Sequence, residues 1–171
     1  IRGTFAQAYL HQRGITNFAD CDALRFHPCC YYRPSKDDPQ GTCTAWPALI
    51  ASVTDLLGQQ TGVHRTWLDS NPMTKAPVAS PRRAMGNILG HAIRFGLAGD
   101  VMIAGEGIET MLSLREVMPD MPFAAATSSA HLAAILFPPT LRRLYVARDN
   151  DPAGHGAVAT LTQRAIPIGI E

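Results

Sequence analysis

Two short apolar runs, Val101-Met102-Ile103-Ala104 and Leu144-Tyr145-Val146-Ala147, each end in an acidic turn, and each turn opens a segment with helical spacing. The first turn is Gly105-Glu106-Gly107-Ile108-Glu109; the second is Arg148-Asp149-Asn150-Asp151-Pro152-Ala153-Gly154. Short apolar runs bounded by turn residues read as buried strands. Ligands of an open α/β sheet bind in the crevice at the carboxyl ends of its parallel strands. Two such strands therefore carry Glu106, Asp149 and Asp151 toward one crevice. Clustered carboxylates repel and cost desolvation. A hard divalent cation removes that penalty, and Mg²⁺ takes oxygen ligands and shares them with phosphate.

Between and after these turns the pattern is regular. Met111, Leu114, Val117 and Met118 form one stripe of a helix over 109–118, which Pro119 stops. A strand is expected over 123–127. Ser128 or Ser129 then caps a helix over 130–137, ended by Pro138-Pro139. The strand at 143–146 leads to Asp149. Asp151 before Pro152 is an N-cap and N1 pair, so Asp151 has a structural role whatever else it does; Asp149 has none. Ala157, Val158, Leu161 and Ala165 carry the apolar face of the last helix. Gly169-Ile170-Glu171 reads as the approach to one more strand. Alternation of this kind implies a parallel sheet with right-handed crossovers.

The first half is less regular. Thr4 and Gln7 have capping-box spacing, Phe5, Ala8 and Tyr9 give an apolar helical face, and Gly14 suits the stop. Residues 17–45 read as irregular. They hold Cys21, Cys29, Cys30 and Cys43; adjacent Cys29-Cys30 and the lack of a C-x₂-C pair argue against zinc. Residues 48–54 and 61–68 read as a hairpin about the turn at 55–58. Alternation sets Val63, Arg65 and Trp67 on one face and His64, Thr66 and Leu68 on the other. Residues 70–87 read as a loop with Lys75, Arg82 and Arg83, and 88–95 as a short strand. Gly96 and Gly99 mark a boundary, giving domains 1–98 and 99–171.

An apolar strand ending in Glu-Gly, followed by a strand ending in Asp-x-Asp with Ala-Gly just after, resembles the Toprim domain of bacterial primases, topoisomerases and some nucleases. The stretches 105–114 and 147–154 are most similar to primase-like Toprim proteins of plasmids, phages and mobile elements, and Gly62-Val63-His64-Arg65-Thr66-Trp67-Leu68-Asp69 extends a weaker likeness into the first half. The resemblance implies an α/β fold, a Rossmann-like parallel-sheet Toprim domain preceded by a smaller α+β subdomain. It implies metal-assisted phosphoryl transfer: joining ribonucleotides on single-stranded DNA, with Mg²⁺ or Mn²⁺ on Glu106, Asp149 and Asp151 and with Glu106 also handling a proton. Glu109 is a further candidate ligand, or else a first-turn acid favoured by the helix dipole. Arg65, Lys75, Arg82, Arg83 and Arg148 are candidates for template or nucleotide phosphate; solvated strand and loop cations are the alternative. A replicative helicase is an implied partner. A Toprim nuclease and a non-catalytic nucleic-acid-binding module remain alternatives. An unrelated dinucleotide-binding enzyme is disfavoured, because no G-x-G-x-x-G loop follows a strand.

Charge fits this division of labour. Net charge is only +1, but residues 1–98 carry ten Lys/Arg against six Asp/Glu, and residues 99–171 five against eight. A basic half joined to an acidic half suits template binding beside metal binding. No apolar run is long enough for a bilayer, and nothing marks secretion, so reduced thiols and a cytoplasmic setting are expected.

Overall fold

The structure, a computed structural model, describes residues 1–18, 21–71 and 73–171. Parts of the expected irregular stretch and loop at residues 19–20 and 72 lie outside the described residues.

Helix α1 (Phe5–His11) starts at Thr4, whose hydroxyl accepts from the Gln7 N–H. It buries Ala6, Tyr9 and Leu10 rather than the expected Phe5, Ala8 and Tyr9; Phe5 stays 43% exposed. The stripe is rotated because α1 packs on a sheet that contacts Tyr9 and Leu10 together, while Phe5 reaches only the edge of Phe26. Strand β1 (Leu24–Tyr31) lies where irregular chain was expected. Leu24 and Phe26 point inward, but a register shift between His27 and Cys30 breaks the alternation. Pro28 inside that bulge is tolerated because β1 is an edge strand.

Strands β2 (Ala45–Thr54) and β3 (Gln60–Ser70) form the expected hairpin. Asp55 closes its turn by accepting from the Leu57 and Gln59 N–H groups. The expected loop at 70–87 instead supplies β4 (Met73–Lys75) and β5 (Arg82–Gly86), both paired antiparallel with β3. Their cations and glycines hid the strand pattern, and ladder pairing with β3 overrides it. The expected strand at 88–95 contracts to β6 (Ile93–Phe95) after a turn.

The second sheet has the order β6-β8-β7-β9, with β7 (Val101–Gly105), β8 (Phe123–Ala125) and β9 (Arg143–Ala147) parallel and β6 antiparallel at one edge. Thus β6, N-terminal to residue 98, belongs to the second sheet. Helices α2 (Ile108–Val117), α3 (Ser129–Ala134) and α4 (Pro152–Ala165) follow the three parallel strands. Ser128 caps α3 as expected, but the helix stops well before Pro138. Arg164 takes the Ala133 and Ile135 carbonyls, and the Leu136 N–H turns away to Gly90. Glu171 donates to the Arg142 carbonyl and accepts from the Leu144 N–H, so it lies along the outer edge of β9.

Period-2 alternation splits the second sheet between two cores. Met102 and Ala104 pack with Leu132, Ala157 and Leu161 under α3 and α4. Ile103 and Phe123 face α2 and join Tyr9, Leu10, Leu49, Ala51, Val53 and Leu68 of the first half. The two halves therefore share one apolar core, and a bridge between Thr54 and Ala92 joins the sheets. A third cluster, around Tyr32, Ala48, Trp67 and Ala76, covers the far face of the first sheet. Among the described residues no helix is long and apolar enough to cross a membrane.

Candidate active site

Strand β7 delivers Glu106 to the carboxyl edge of the sheet, and β9 delivers Asp149 beside it. A crevice of about 330 Å³ opens there, lined by the acids Glu106, Glu109 and Asp149, by Thr127, and by the cations Arg13, Lys75 and Arg82. The glycines make the close packing possible. A Cβ on Gly105 would stand 2.7 Å from the Ala147 carbonyl oxygen and 2.5 Å from Met111 Cε. A Cβ on Gly154 would fall on the Asp149 backbone, so Gly154 lets α4 begin against the acidic turn.

Glu106 is half-buried, and its Oε1 has no hydrogen-bond partner. Burial, with the Asp149 and Asp151 charges, pushes its carboxyl above the usual carboxylate range; the Ser129 N–H and Arg82 oppose this. Asp149 is exposed. Asp151 caps α4, its Oδ1 accepting from the Gly154 N–H at 2.7 Å. Its charge still reaches Glu106. Among the described residues no three His, Cys, Asp or Glu side chains stand close enough to ligate one ion as they are. The donor set nonetheless fits a hard divalent cation: carboxylate oxygens only, one of them buried and unpartnered.

Glu109 is differently placed. Its Oε1 accepts from the Tyr9 hydroxyl at 2.6 Å and lies 3.3 Å from Lys75 Nζ. Burial raises its pKa, but the Tyr9 hydrogen bond, Lys75 and its own backbone N–H outweigh that and hold it below the usual range. Behind it, His64 is buried with an unpartnered Nδ1, and burial above all pushes its pKa down to about 4. His64 is thus packed within the fold, with 5% of its surface exposed.

Strand register sorts the other cations. Lys75 pairs with Leu68 and Arg82 with Thr66, so both share the face that meets the crevice. Arg83 pairs with Arg65, one residue out of phase, and both lie on the opposite face. There Arg65 sits 4.9 Å over the Trp67 ring and Arg83 4.4 Å over Tyr32. Arg83 also donates to the Arg33 carbonyl and the Tyr32 hydroxyl. Arg148 is exposed and does not line the crevice. Arg65, Arg83 and Arg148 are therefore not gathered with the acids, whereas Lys75 and Arg82 are.

Sequence reasoning overlooked Arg13 and Thr127. Arg13, in the turn just past α1, stacks 3.8 Å over the Tyr9 ring four residues earlier and brings a third cation to the crevice. The i, i+4 spacing of Tyr9 and Arg13 was the available signal. Thr127 has φ 78°, a strained conformation for a β-branched residue. It is held there by its N–H to the Glu106 carbonyl at 2.8 Å. Backbone strain of this kind concentrates at functional sites.

Parallel strands with acids at their carboxyl ends form a Toprim-type core, joined to an antiparallel unit bearing cations. Residues 1–95 match the family described as "Domain of unknown function (DUF7146)", and residues 101–171 match the Toprim domain. The chain belongs to the DUF7146 family and is a Toprim, primase-like protein. No curated protein matches it. Among solved structures it is similar to the zinc-binding and RNA polymerase domains of the Aquifex aeolicus primase, at TM-score 0.61 and 15% identity over 99% of this chain and 49% of that one. It is also similar to the DnaG primase catalytic domain bound to ssDNA, at TM-score 0.59 and 15% identity over 96% of this chain and 62% of that one. The primase fragment of the bacteriophage T7 primase-helicase protein matches at TM-score 0.52 and 16% identity, over 69% of this chain and 49% of that one. The chain thus spans about half to three fifths of these structures.

Proposed function

We propose that this chain is the catalytic core of a primase-like nucleotidyltransferase that joins ribonucleotides on a single-stranded DNA template. The observation that carries the proposal is the gathering of acids and cations in one crevice, Glu106 and Asp149 with Arg13, Lys75 and Arg82. Glu106, Asp149 and Asp151 would hold Mg²⁺ or Mn²⁺. A bound divalent cation supplies charge neutralisation at the transferred phosphate. The cation wall binds the triphosphate and orients it toward the acids. Glu106, whose proton affinity is raised, accepts the proton of the attacking 3′-hydroxyl at a carboxylate oxygen. Arg65 and Arg83, on the far face of the first sheet, are candidates only for template contacts outside the crevice. That the DnaG neighbour binds ssDNA and the T7 neighbour is a primase-helicase protein supports a DNA template and a helicase partner.

The test is primer synthesis on single-stranded DNA with ribonucleoside triphosphates and Mg²⁺ or Mn²⁺. Short RNA products are expected, and Glu106→Gln should reduce the rate by about 10²–10⁴-fold. DNA or RNA cleavage without synthesis would assign the chain to the nucleases. Metal-independent DNA binding, unchanged when Asp149→Ala and Asp151→Ala are combined, would make it a binding module.

A further inference from the structure

We infer that Tyr9 and Glu109 form a positioning unit that hangs two of the three crevice cations, Arg13 and Lys75, over the acidic wall, and that Glu109 is not a metal ligand. The inference rests on the crevice reading above and deepens it. Tyr9 is fully buried on α1. Its hydroxyl crosses to α2 of the other half and donates to Glu109 Oε1 at 2.6 Å. The same Oε1 meets Lys75 Nζ of β4 at 3.3 Å. The other functional surface of Tyr9 is its ring, over which the Arg13 guanidinium lies at 3.8 Å, with Arg13 Nη1 donating to the Tyr9 carbonyl at 3.3 Å. One side chain thus aligns one cation by its π face and the other through a carboxylate.

Glu109 Oε1 is engaged twice, by the Tyr9 hydroxyl and by Lys75 Nζ. Its carboxylate also reaches its own backbone N–H. Tyr9 and Lys75 share one oxygen. An ion drawn to Oε1 would compete with Lys75 and with a short bond from a buried phenol, which would then be left without an acceptor. Buried His64 behind the pair is uncharged at neutral pH and does not compete with Lys75 for the carboxylate. Glu106 also takes a backbone N–H, from Ser129, but its Oε1 has no partner among the described residues. The motif's two acids therefore divide the work: Glu106 faces the reacting groups, and Glu109 holds the cations that meet them.

The test compares Tyr9→Phe, Glu109→Gln and Glu106→Gln by three measurements on the intact chain. Tyr32→Phe is the control, because it removes a comparable hydroxyl bond, to Asp38, on the far face. Mn²⁺ binding by electron paramagnetic resonance should fall in Glu106→Gln and stay unchanged in Tyr9→Phe and Glu109→Gln. Tripolyphosphate binding should weaken several-fold in Tyr9→Phe and Glu109→Gln and not in Tyr32→Phe. Amide exchange over Met73–Lys75 should quicken in the same two variants. Even a residue that merely orients a metal ligand costs about 10–100-fold in metal affinity when lost, so a drop of that size in Glu109→Gln overturns the inference. Unchanged tripolyphosphate binding and unchanged exchange in Tyr9→Phe, the milder variant, overturn it as well. If the wild-type chain binds no Mn²⁺, the metal reading of the crevice falls by itself, and the exchange and tripolyphosphate results still decide the role of Tyr9 and Glu109.

Discussion

Substituting Gly105 by alanine should pull apart the two strands that carry the acids. Gly105 is the last residue of β7 and pairs with Ala147, the last of β9. The added methyl would stand 2.7 Å from the Ala147 carbonyl oxygen and 2.5 Å from Met111 Cε. Met111 is a flexible side chain, but it is fully buried in the core, so its shift must displace packed neighbours. The carbonyl cannot retreat without moving β9. Overpacking of this kind costs about 1–3 kcal/mol. In a chain of this size each kcal/mol lowers Tm by about 2–4 °C, so the loss should be about 2–12 °C. Gly107→Ala supplies the contrast. Its methyl would meet no backbone among its three nearest atoms: Thr110 Oγ1 at 3.2 Å, and Glu109 Oε2 and Thr110 Cβ at 3.9 Å, an ordinary contact distance. Calorimetry and urea titration of the two variants should therefore differ clearly, although both replace a glycine beside the same glutamate. Because the strain falls on the end of β9, Gly105→Ala should also weaken Mn²⁺ binding by shifting Asp149 away from Glu106. An unchanged Tm in Gly105→Ala, or equal losses in both variants, would refute the packing account of the Gly-Glu-Gly turn.

Glu106→Gln should raise stability at neutral pH, because the fold favours the protonated form of that carboxyl. A raised pKa contributes stability below the usual carboxylate range and loses it as pH rises, so the gain should shrink on acidification in a Tm–pH series. Tyr9→Phe keeps the ring but removes a hydrogen bond to a charged group, and should cost about 1.5–3 kcal/mol by urea unfolding. Since Glu109 is held below its usual range, that cost should be present at neutral pH and fade as the carboxyl protonates in acid. Asp151→Ala removes a cap and should cost about 1 kcal/mol, while Asp151→Asn keeps the cap and isolates the loss of charge in Mn²⁺ titrations.

The second half was readable because its local signals agree with one another. Strand runs at 101–104 and 144–147, the Pro152 start and the Asp151 cap all survive folding, since each is written within a few residues. The first half was readable at its Thr4-capped helix and its hairpin. Strand β1 was missed because a bulge and Pro28 interrupt its alternation, and β4 and β5 because short cation- and glycine-bearing segments become strands only when a partner supplies the ladder.

The sequence by itself determined which residue types this protein has for its chemistry: acids placed at strand ends by turns that leave little choice, and a surplus of cations in the other half. Only the tertiary structure decided which of those groups meet. Register between β3 and its neighbours set Lys75 and Arg82 on the crevice face and Arg65 and Arg83 behind it. Docking of α1 on the first sheet turned Tyr9 toward Glu109 and brought Arg13 to the site. The physical reason is range: caps and turns are settled among near neighbours, whereas strand register and helix docking are settled by burying one apolar core across segments far apart in the chain.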